Sequence, residues 1–334
     1  MKKGFTLVEL LAVIVILAVI LIIAIPQVLK VVDNSRINAY IKNEQMVLKA
    51  VDVYVSRNTG ELPGEIGDTT EVSINYLVSN GMLTGITNPY NKNEDCTGYV
   101  TIMKLSDTEY DYTPHLRCGL DIHDSSDDGL VGHWKLHGNA FDYSMNNNHG
   151  TMYGVIFTND RFNALGKVVC FSGEENYVEV ENSDDFNGMS EFSVSAWIKY
   201  ESLSNENYAP IGKEGLFRIV IGPSGNLSFA VRTEDNEWYS TGTVVNAGNV
   251  VINRWYYIVG IYDGNKIRIY VDGKFINEGS TNISGNLYTN DRSFNMGRSL
   301  ASNIDYFNGC LDDVRIYNRA LSEHEIKMLY ETTK

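Results

Sequence analysis

Residues 5–25 are an almost unbroken apolar run near the start of the 334-residue chain, and Glu9 is the only charged residue within it. As a helix that rises about 1.5 Å per residue, this run would span roughly 30 Å, the thickness of the hydrocarbon core of a bilayer. Lys2 and Lys3 precede it and form the basic flank expected on the cytoplasmic side. The run is long for a cleaved secretory signal, and no small-residue cleavage site follows it. The sequence therefore predicts a single-pass insertion into the cytoplasmic membrane.

Glu9 is the feature that an ordinary membrane anchor leaves unexplained. A carboxylate inside an apolar span costs a few kcal/mol and is retained where it has a partner or a use. The opening MKKGFTLVELL resembles the class III signal of type IV pilins and type II secretion pseudopilins, because Gly4, Phe5 and Glu9 occur together at the head of an apolar helix. A plain anchor, in which Met1 stays uncut, is the alternative.

The resemblance to prepilins implies a role for each of these three residues. A prepilin peptidase would cut between Gly4 and Phe5 and methylate Phe5 as the new N-terminus. Glu9 would neutralise the α-amino group of a neighbouring pilin subunit in a filament. Two opposite charges removed from water attract strongly, and mispairing leaves one of them buried alone.

Beyond the apolar run, the pattern changes to that of an amphipathic helix. Apolar residues recur at intervals of three, four and seven positions, at Ile37, Ile41, Leu48, Val51 and Val55. Gly60 provides a helix stop. We therefore predict a leader at residues 1–4 and one long helix over residues 5–57.

Residues 58–118 are predicted to form a small pilin head. A turn-rich start is followed by a short helix near 74–78 and by two strands near 98–103 and 110–112, so the first fold class is α+β, with a long helix covered by a small antiparallel sheet. The acidic, apolar-poor segment 119–129 is predicted to be a linker.

The four cysteines, Cys96, Cys118, Cys170 and Cys310, form no C-x-x-C motif and have no zinc-site spacing. If the chain is exported, two disulfides are expected, and four unpaired buried thiols are the alternative. A bridge between Cys96 and Cys118 would close a loop around the predicted hairpin of the head, which is worth about 3 kcal/mol in the chain-entropy model.

Residues 130–334 show a different periodicity. Short β-rich runs recur between Gly, Asn and Asp turns, including Asp-Gly signals at 263–264 and 272–273. A Ser-x-x-Glu capping box at Ser322 predicts a short closing helix. These features predict an all-β antiparallel sandwich.

The segments 129–134, 146–150, 253–257 and 309–321 resemble the laminin-G-like, concanavalin A-like jelly-roll family. In such folds the first and last strands lie side by side, so the resemblance implies a Cys170–Cys310 disulfide. It also implies a structural Ca²⁺ site, for which the candidate oxygen ligands are Asp142, Asn146, Asn148, Asp312 and Asp313. The alternative is that these residues form turns and solvated acids.

Several function classes are disfavoured by the sequence. The formal net charge of -15 repels phosphate backbones, so nucleic acid is not an expected partner. The sequence contains no G-x-S-x-G, P-loop, G-x-G-x-x-G or H-E-x-x-H motif, and we predict that the chain is not an enzyme.

The remaining hypotheses concern binding and assembly. The first is a minor or tip pilin whose lectin-like domain adheres to an extracellular glycan or matrix protein, with Trp238 and Tyr239 as a candidate stacking surface. The second is a pseudopilin of a type II secretion or DNA-uptake machine with a structural sandwich. Both place the mature chain in an extracellular filament or at the cell surface.

Overall fold

The structure is a computed structural model. It describes residues 7–118, 128–159, 161–162, 168–202, 208–222, 225–242, 250–299 and 305–334. Gly4 and Phe5 lie outside the described residues, as does most of the predicted linker. Glu9 lies in a helix, but its side chain is not among the described side chains.

The pilin portion contains two helices and a three-stranded antiparallel sheet. Its elements are α1 (Leu7–Arg57), β1 (Thr69–Ser73), α2 (Ile74–Ser79), β2 (Thr97–Lys104) and β3 (Tyr110–Arg117), with a 3-10 turn at Thr59–Glu61. The strands pair in the order β1-β2-β3. This arrangement confirms the predicted α+β head and adds β1, which the sequence analysis did not find.

The core of the head lies between α1 and this sheet. Val47, Val51 and Tyr54 of α1 are buried against the sheet, which contributes Val100 and Ile102. The Cys96–Cys118 disulfide joins the start of β2 to the end of β3.

Within the described part of the chain, none of the helices combines the length and the mean hydropathy needed to cross a membrane. Most side chains of the apolar run 5–25 lie outside the described residues. Membrane insertion through this run stays a prediction.

The C-terminal portion is a β-sandwich that ends in a helix. Its strands are β4 (Leu130–Trp134), β5 (Gly150–Tyr153), β6 (Ile156–Thr158), β7 (Val168–Ser172), β8 (Tyr177–Val180), β9 (Phe192–Tyr200), β10 (Tyr208–Lys213), β11 (Phe217–Ile221), β12 (Leu227–Arg232), β13 (Trp238–Ser240), β14 (Trp255–Tyr262), β15 (Lys266–Val271), β16 (Lys274–Thr281), β17 (Phe294–Met296), β18 (Arg298–Ser299), β19 (Asp305–Tyr306) and β20 (Asn308–Tyr317). A 3-10 turn covers Asp184–Phe186, and α3 spans Glu323–Thr333.

Two antiparallel sheets form the sandwich. The seven-stranded sheet has the order β13-β12-β11-β10-β17-β8-β5, and the eight-stranded sheet has the order β16-β15-β14-β9-β20-β7-β6, with β4 also paired to β20. Alternate residues of each strand face the shared core, as Val194, Ala196 and Ile198 do on β9. The predicted jelly-roll sandwich is confirmed.

The first and last strands are neighbours, as the resemblance implied. Trp134 of β4 is opposite Val314 of β20, and its fully buried indole donates a 2.9 Å hydrogen bond to the Asn148 carbonyl. On the other side of β20, Cys310 is opposite Cys170 of β7, and the two form a disulfide.

Helix α3 connects the sandwich to the pilin portion. Its predicted capping box is present at Ser322 and Glu325. Ile326 and Leu329 pack on the outer face of the eight-stranded sheet, while Met328 packs against the core of the head.

Polar contacts between the two portions accompany this packing. Lys327 of α3 forms an ion pair with Asp33 of α1. Elsewhere, Lys135 Nζ lies 3.2 Å from Asp111 Oδ2 of β3 and donates a 2.9 Å hydrogen bond to the carbonyl of Tyr112. The sandwich therefore packs directly on α1 and on the head.

Candidate ligand-binding surface

The loop that contains three of the predicted calcium ligands is organised by Asp142. Its Oδ1 accepts hydrogen bonds from the backbone N–H groups of His133 and Ser144, at 2.9 and 2.8 Å. Its Oδ2 accepts bonds from the Ser144 hydroxyl and the Asn148 N–H, at 2.8 and 2.9 Å. Four donors from the protein therefore already surround this carboxylate.

The two asparagines serve the same loop. Asn146 Nδ2 donates to the carbonyls of Leu130 and Val131, and Asn148 Nδ2 donates to the Val131 carbonyl. These bonds attach the loop to β4.

Asp312 and Asp313 are engaged elsewhere, in ion pairs on β20. Asp312 lies 2.9 Å from Arg161, and Asp313 lies 2.7 Å from His133 and 3.0 Å from Arg315.

These contacts describe the surroundings of the predicted calcium ligands. Protein donors surround the carboxylate of Asp142, and ion pairs engage Asp312 and Asp313. Among the described residues, the single cluster of three metal-ligating residue types is Cys170, Glu201 and Cys310, and both of its sulfurs belong to the disulfide. The calcium site and its ligands stay a prediction.

The buried hydrogen bond between His133 and Asp313 predicts acid sensitivity. Burial, followed by the positive charge of Arg315, lowers the pKa of His133 from its usual value of 6.5 to about 4. Burial opposes the ionisation of Asp313, but Arg315 and His133 outweigh it and hold the pKa of Asp313 well below its usual range. The folded state thus contains a neutral imidazole that donates to a carboxylate.

The unfolded chain takes up a proton on His133 below about pH 6.5, whereas the folded chain does not until about pH 4. Stability contributed by this group is therefore present above pH 6.5 and is lost as the pH falls to 4, by up to about 3 kcal/mol. We expect urea unfolding to show this loss in the wild type and a smaller loss in His133→Gln, which cannot titrate. Equal losses in both proteins would contradict the assignment.

A cavity of about 400 Å³ lies where α1, β3, α3 and the sandwich meet. Several charged groups in its wall are already paired, including Arg319 with Glu325 at 2.6 Å. Glu44 of α1 also faces this cavity, and burial raises its pKa to about 8 against the opposing effect of Arg315. The cavity is part of the junction between the two portions, and its paired charges identify no ligand.

Trp238 and Tyr239 lie on β13, the edge strand of the seven-stranded sheet, but they do not form a joint surface. Tyr239 packs against the sandwich core, and its hydroxyl donates a 2.6 Å hydrogen bond to Asp235. Trp238 points to the opposite face, as successive strand residues do, and is 38% exposed. Only Trp238 can therefore contribute to a stacking surface.

Trp238 belongs to the outer face of the seven-stranded sheet. It pairs with Arg232 of β12, which lies two positions from Ala230 and hence on the same side. A continuous row of paired residues crosses this face, consisting of Thr151, Glu179, Asn295, Gly212, Arg218, Ala230 and Ser240. We call this the outer-face row.

A shallow depression lies in the middle of the outer-face row. The Arg218 guanidinium carbon lies 4.7 Å from the centroid of the Trp238 ring, within cation–π distance, and both residues line the depression. Arg298, at its other side, bonds to Asn295 at 2.8 Å and to Glu179 at 3.0 Å. The arrangement combines an exposed ring with polar groups that can donate and accept hydrogen bonds.

The sequence analysis missed Arg218, Asn295 and Arg298. They lie on three different strands, and the sheet pairing alone brings them together. The alternation of polar and apolar residues in β11 assigns Arg218 to the outer face, but nothing local assigns its neighbours.

Two family models match the chain. Residues 172–327 match the concanavalin A-like lectin/glucanases superfamily, and residues 1–25 match the prokaryotic N-terminal methylation motif. Comparison with curated protein sequences gives no match.

Solved structures share the fold of the sandwich. The receptor binding domain of the botulinum neurotoxin C/D mosaic serotype has a TM-score of 0.50 at 17% identity, over 61% of this chain and 51% of that one. The binding domain of botulinum neurotoxin serotype D/C VPI 5993 has a TM-score of 0.50 at 18% identity, over 62% and 53% of the two chains. Domain 4 of AbnA, a GH43 extracellular arabinanase from Geobacillus stearothermophilus, has a TM-score of 0.49 at 19% identity, over 60% and 98%. The chain thus spans about half the length of the neurotoxin domains, at 51% and 53%, and the likeness concerns the fold alone.

The fold and the two family matches define the class of this protein. It combines a prepilin-type N-terminal methylation motif with a lectin-like jelly-roll domain. This combination fits a pilin-like surface subunit, and the motif implies membrane insertion followed by display in a surface filament.

Proposed function

We propose that the protein is a minor or tip subunit of a type IV pilin-like filament, and that its sandwich adheres to an extracellular carbohydrate. The prepilin peptidase would process the chain, and other pilin subunits would pack around α1. The observation that carries the adhesion proposal is the exposed Trp238 ring beside Arg218 and the depression. Sugar rings stack on such aromatic faces, while hydroxyl groups bond to neighbouring polar side chains.

The proposal includes no catalytic step. A glycosidase needs two carboxylic groups positioned on either side of the scissile bond. On the outer-face row the carboxylate is Glu179, which Arg298 holds in an ion pair. Calcium is not part of the proposal either, because the binding surface around Trp238 contains none of the five candidate calcium ligands.

The Trp238→Ala variant tests carbohydrate adhesion. We expect the full-length processed protein to bind a subset of a glycan array, and the variant to bind the same glycans at least about tenfold more weakly, because the loss of a central aromatic contact costs more than about 1.4 kcal/mol. Phe275→Ala is the matched control, since Phe275 is 50% exposed but belongs to the eight-stranded sheet. Unchanged glycan binding by Trp238→Ala, or no glycan binding by the wild type, would contradict the proposal.

A second candidate function is a pseudopilin whose sandwich has a structural role. The packing of α3 against α1 favours it, because this contact makes the sandwich an integral part of the subunit. A pseudopilin would co-purify with secretion or DNA-uptake components, and its role would be insensitive to Trp238→Ala.

A further inference from the structure

We infer that the depression beside Trp238 selects glycans that carry a carboxylate, and that Arg218 is the residue that binds this group. The inference rests on the proposed carbohydrate adhesion and names its ligand class.

Arg218 is the cation of the outer-face row, and none of the described carboxylates pairs with it. Within the described ranges, its Nε is buried without a hydrogen-bond partner, and no described carboxylate lies within the 4.0 Å of an ion pair. Arg298 on the same face is paired with Glu179, and Arg232 bonds to Asn236. A buried donor without an acceptor costs about 1–3 kcal/mol, more when the group is charged. Because Nε is buried while Arg218 as a whole is half-buried, a ligand would bind the guanidinium through its accessible nitrogens.

The guanidinium is also held in place before a ligand arrives. The Trp238 ring covers it at 4.7 Å, which restricts its rotamers. Gly212 is next to Arg218 in the outer-face row and has no side chain to fill the depression. A Cβ at this position would lie 3.0 Å from the Phe217 carbonyl oxygen and 3.3 Å from Arg218 Cβ. A carboxylate fits this geometry because a guanidinium can donate two parallel hydrogen bonds to its two oxygens.

The charged side chains at the depression are few. Arg218 and Arg298 line it together with the carboxylate of Glu214, and Arg298 is already paired with Glu179. Lys213 also borders the depression, but its side chain belongs to the opposite face of the sheet, since it is paired with the core residues Phe217 and Phe294. Its ammonium donates hydrogen bonds to the carbonyls of Asn290 and Arg292. Arg218 is therefore the cation on which a carboxylate ligand would depend.

The chain as a whole carries a net charge of -15. Screening limits charge effects to about 8 Å at physiological ionic strength, so the charges nearest to Arg218 matter most for what this face attracts. The acidic remainder of the surface repels anionic polymers in general, and a single acidic sugar that reaches Arg218 avoids much of that repulsion.

Matched acidic and neutral probes test the inference on the full processed chain in detergent. We expect the wild type to bind sialyllactose or an oligosaccharide with a uronic acid at least about tenfold more tightly than the matched neutral sugar. Arg218→Met should weaken binding of the acidic probe by about 10-fold to 100-fold, the loss expected for a hydrogen bond to a charged group, and should weaken binding of the neutral sugar by a clearly smaller factor. Arg218→Lys should restore only part of the loss, because an ammonium lacks the planar fork.

Arg254→Met is the control for overall charge. Its side chain is 60% exposed and is ion-paired with Asp272 near the eight-stranded sheet, so its removal changes the net charge equally without affecting the depression. A thermal unfolding midpoint like that of the wild type verifies the fold of each variant.

The outcomes separate this inference from the proposed function. If Trp238→Ala weakens binding while Arg218→Met affects acidic and neutral sugars equally, the surface binds glycans and the carboxylate assignment is wrong. If a sulfated lactose binds as tightly as sialyllactose, the site selects any anion and the assignment is again overturned. If neither substitution alters glycan binding, the proposed surface itself is wrong.

Discussion

Replacing both Cys170 and Cys310 by Ala is expected to lower the free energy of unfolding of the sandwich by up to about 5 kcal/mol. The disulfide closes a loop with a sequence separation of 140 residues, so it removes much of the conformational freedom of the unfolded chain. The disulfide also links β7 covalently to β20, a strand that pairs with β4, β7 and β9. Urea unfolding followed by tryptophan fluorescence measures the loss.

The Cys96→Ala/Cys118→Ala double variant is the matched control. Its disulfide has a sequence separation of 22 residues and belongs to the head, where the expected loss is about 3 kcal/mol. Trp134, Trp197, Trp238 and Trp255 all lie in the sandwich, so their fluorescence should respond more to the loss of Cys170–Cys310. An unchanged unfolding midpoint in the Cys170/Cys310 variant would show that strand pairing alone determines the stability of the sandwich.

Replacing Glu9 by Ala is expected to abolish incorporation into filaments while leaving proteolytic processing intact. In the assembly that the methylation motif implies, the carboxylate at this position neutralises the amino group of an adjoining subunit. Without it, that amino group would be buried unpaired, and breaking a buried charge pair costs about 3–5 kcal/mol. The measurement is the ratio of processed protein in the sheared filament fraction to that in the membrane fraction.

Glu44→Gln is the control for this experiment. Glu44 is also on α1, but it faces the cavity between α1 and the sandwich. Mass spectrometry of the N-terminal peptide should find methylated Phe5 in the wild type and in both variants. An intact Met1 in the wild type, or normal incorporation of Glu9→Ala into filaments, would contradict the assembly role of Glu9. The remaining interpretation would be a membrane-anchored lectin-like domain.

The parts of the fold that were predictable depend on local signals. The capping box at Ser322 places the start of α3, because the backbone N–H groups of Ser322 and Glu325 each donate to the other residue's side chain, three positions away. The amphipathic spacing of Val51 and Val55 likewise marks the face of α1 that covers the sheet. By contrast, Thr69 and Thr70 of β1 are polar and half-buried and Glu71 is exposed, and only pairing with β2 makes them a strand.

The candidate site was harder to predict because its residues interact across the sheet. Asp313 was expected to bind a cation, yet Arg315 two positions along the same strand and His133 from β4 are its partners. Trp238 was identified from the polar residues around it in the sequence. Arg218 comes close to Trp238 only through the pairing of β11 with β12 and of β12 with β13. Side chains that meet through pairing of distant strands have no spacing pattern in the sequence.

The contact between α3 and α1 has a mechanical consequence for a subunit that holds a ligand. A pull on the sandwich reaches the pilin portion through the covalent connection at residues 119–129 and through noncovalent contacts, which include those of Lys327 and Met328 and those of Lys135 with β3. While the noncovalent contacts hold, the sandwich keeps its orientation relative to α1. If they separate, the covalent connection alone carries the force and the subunit can lengthen.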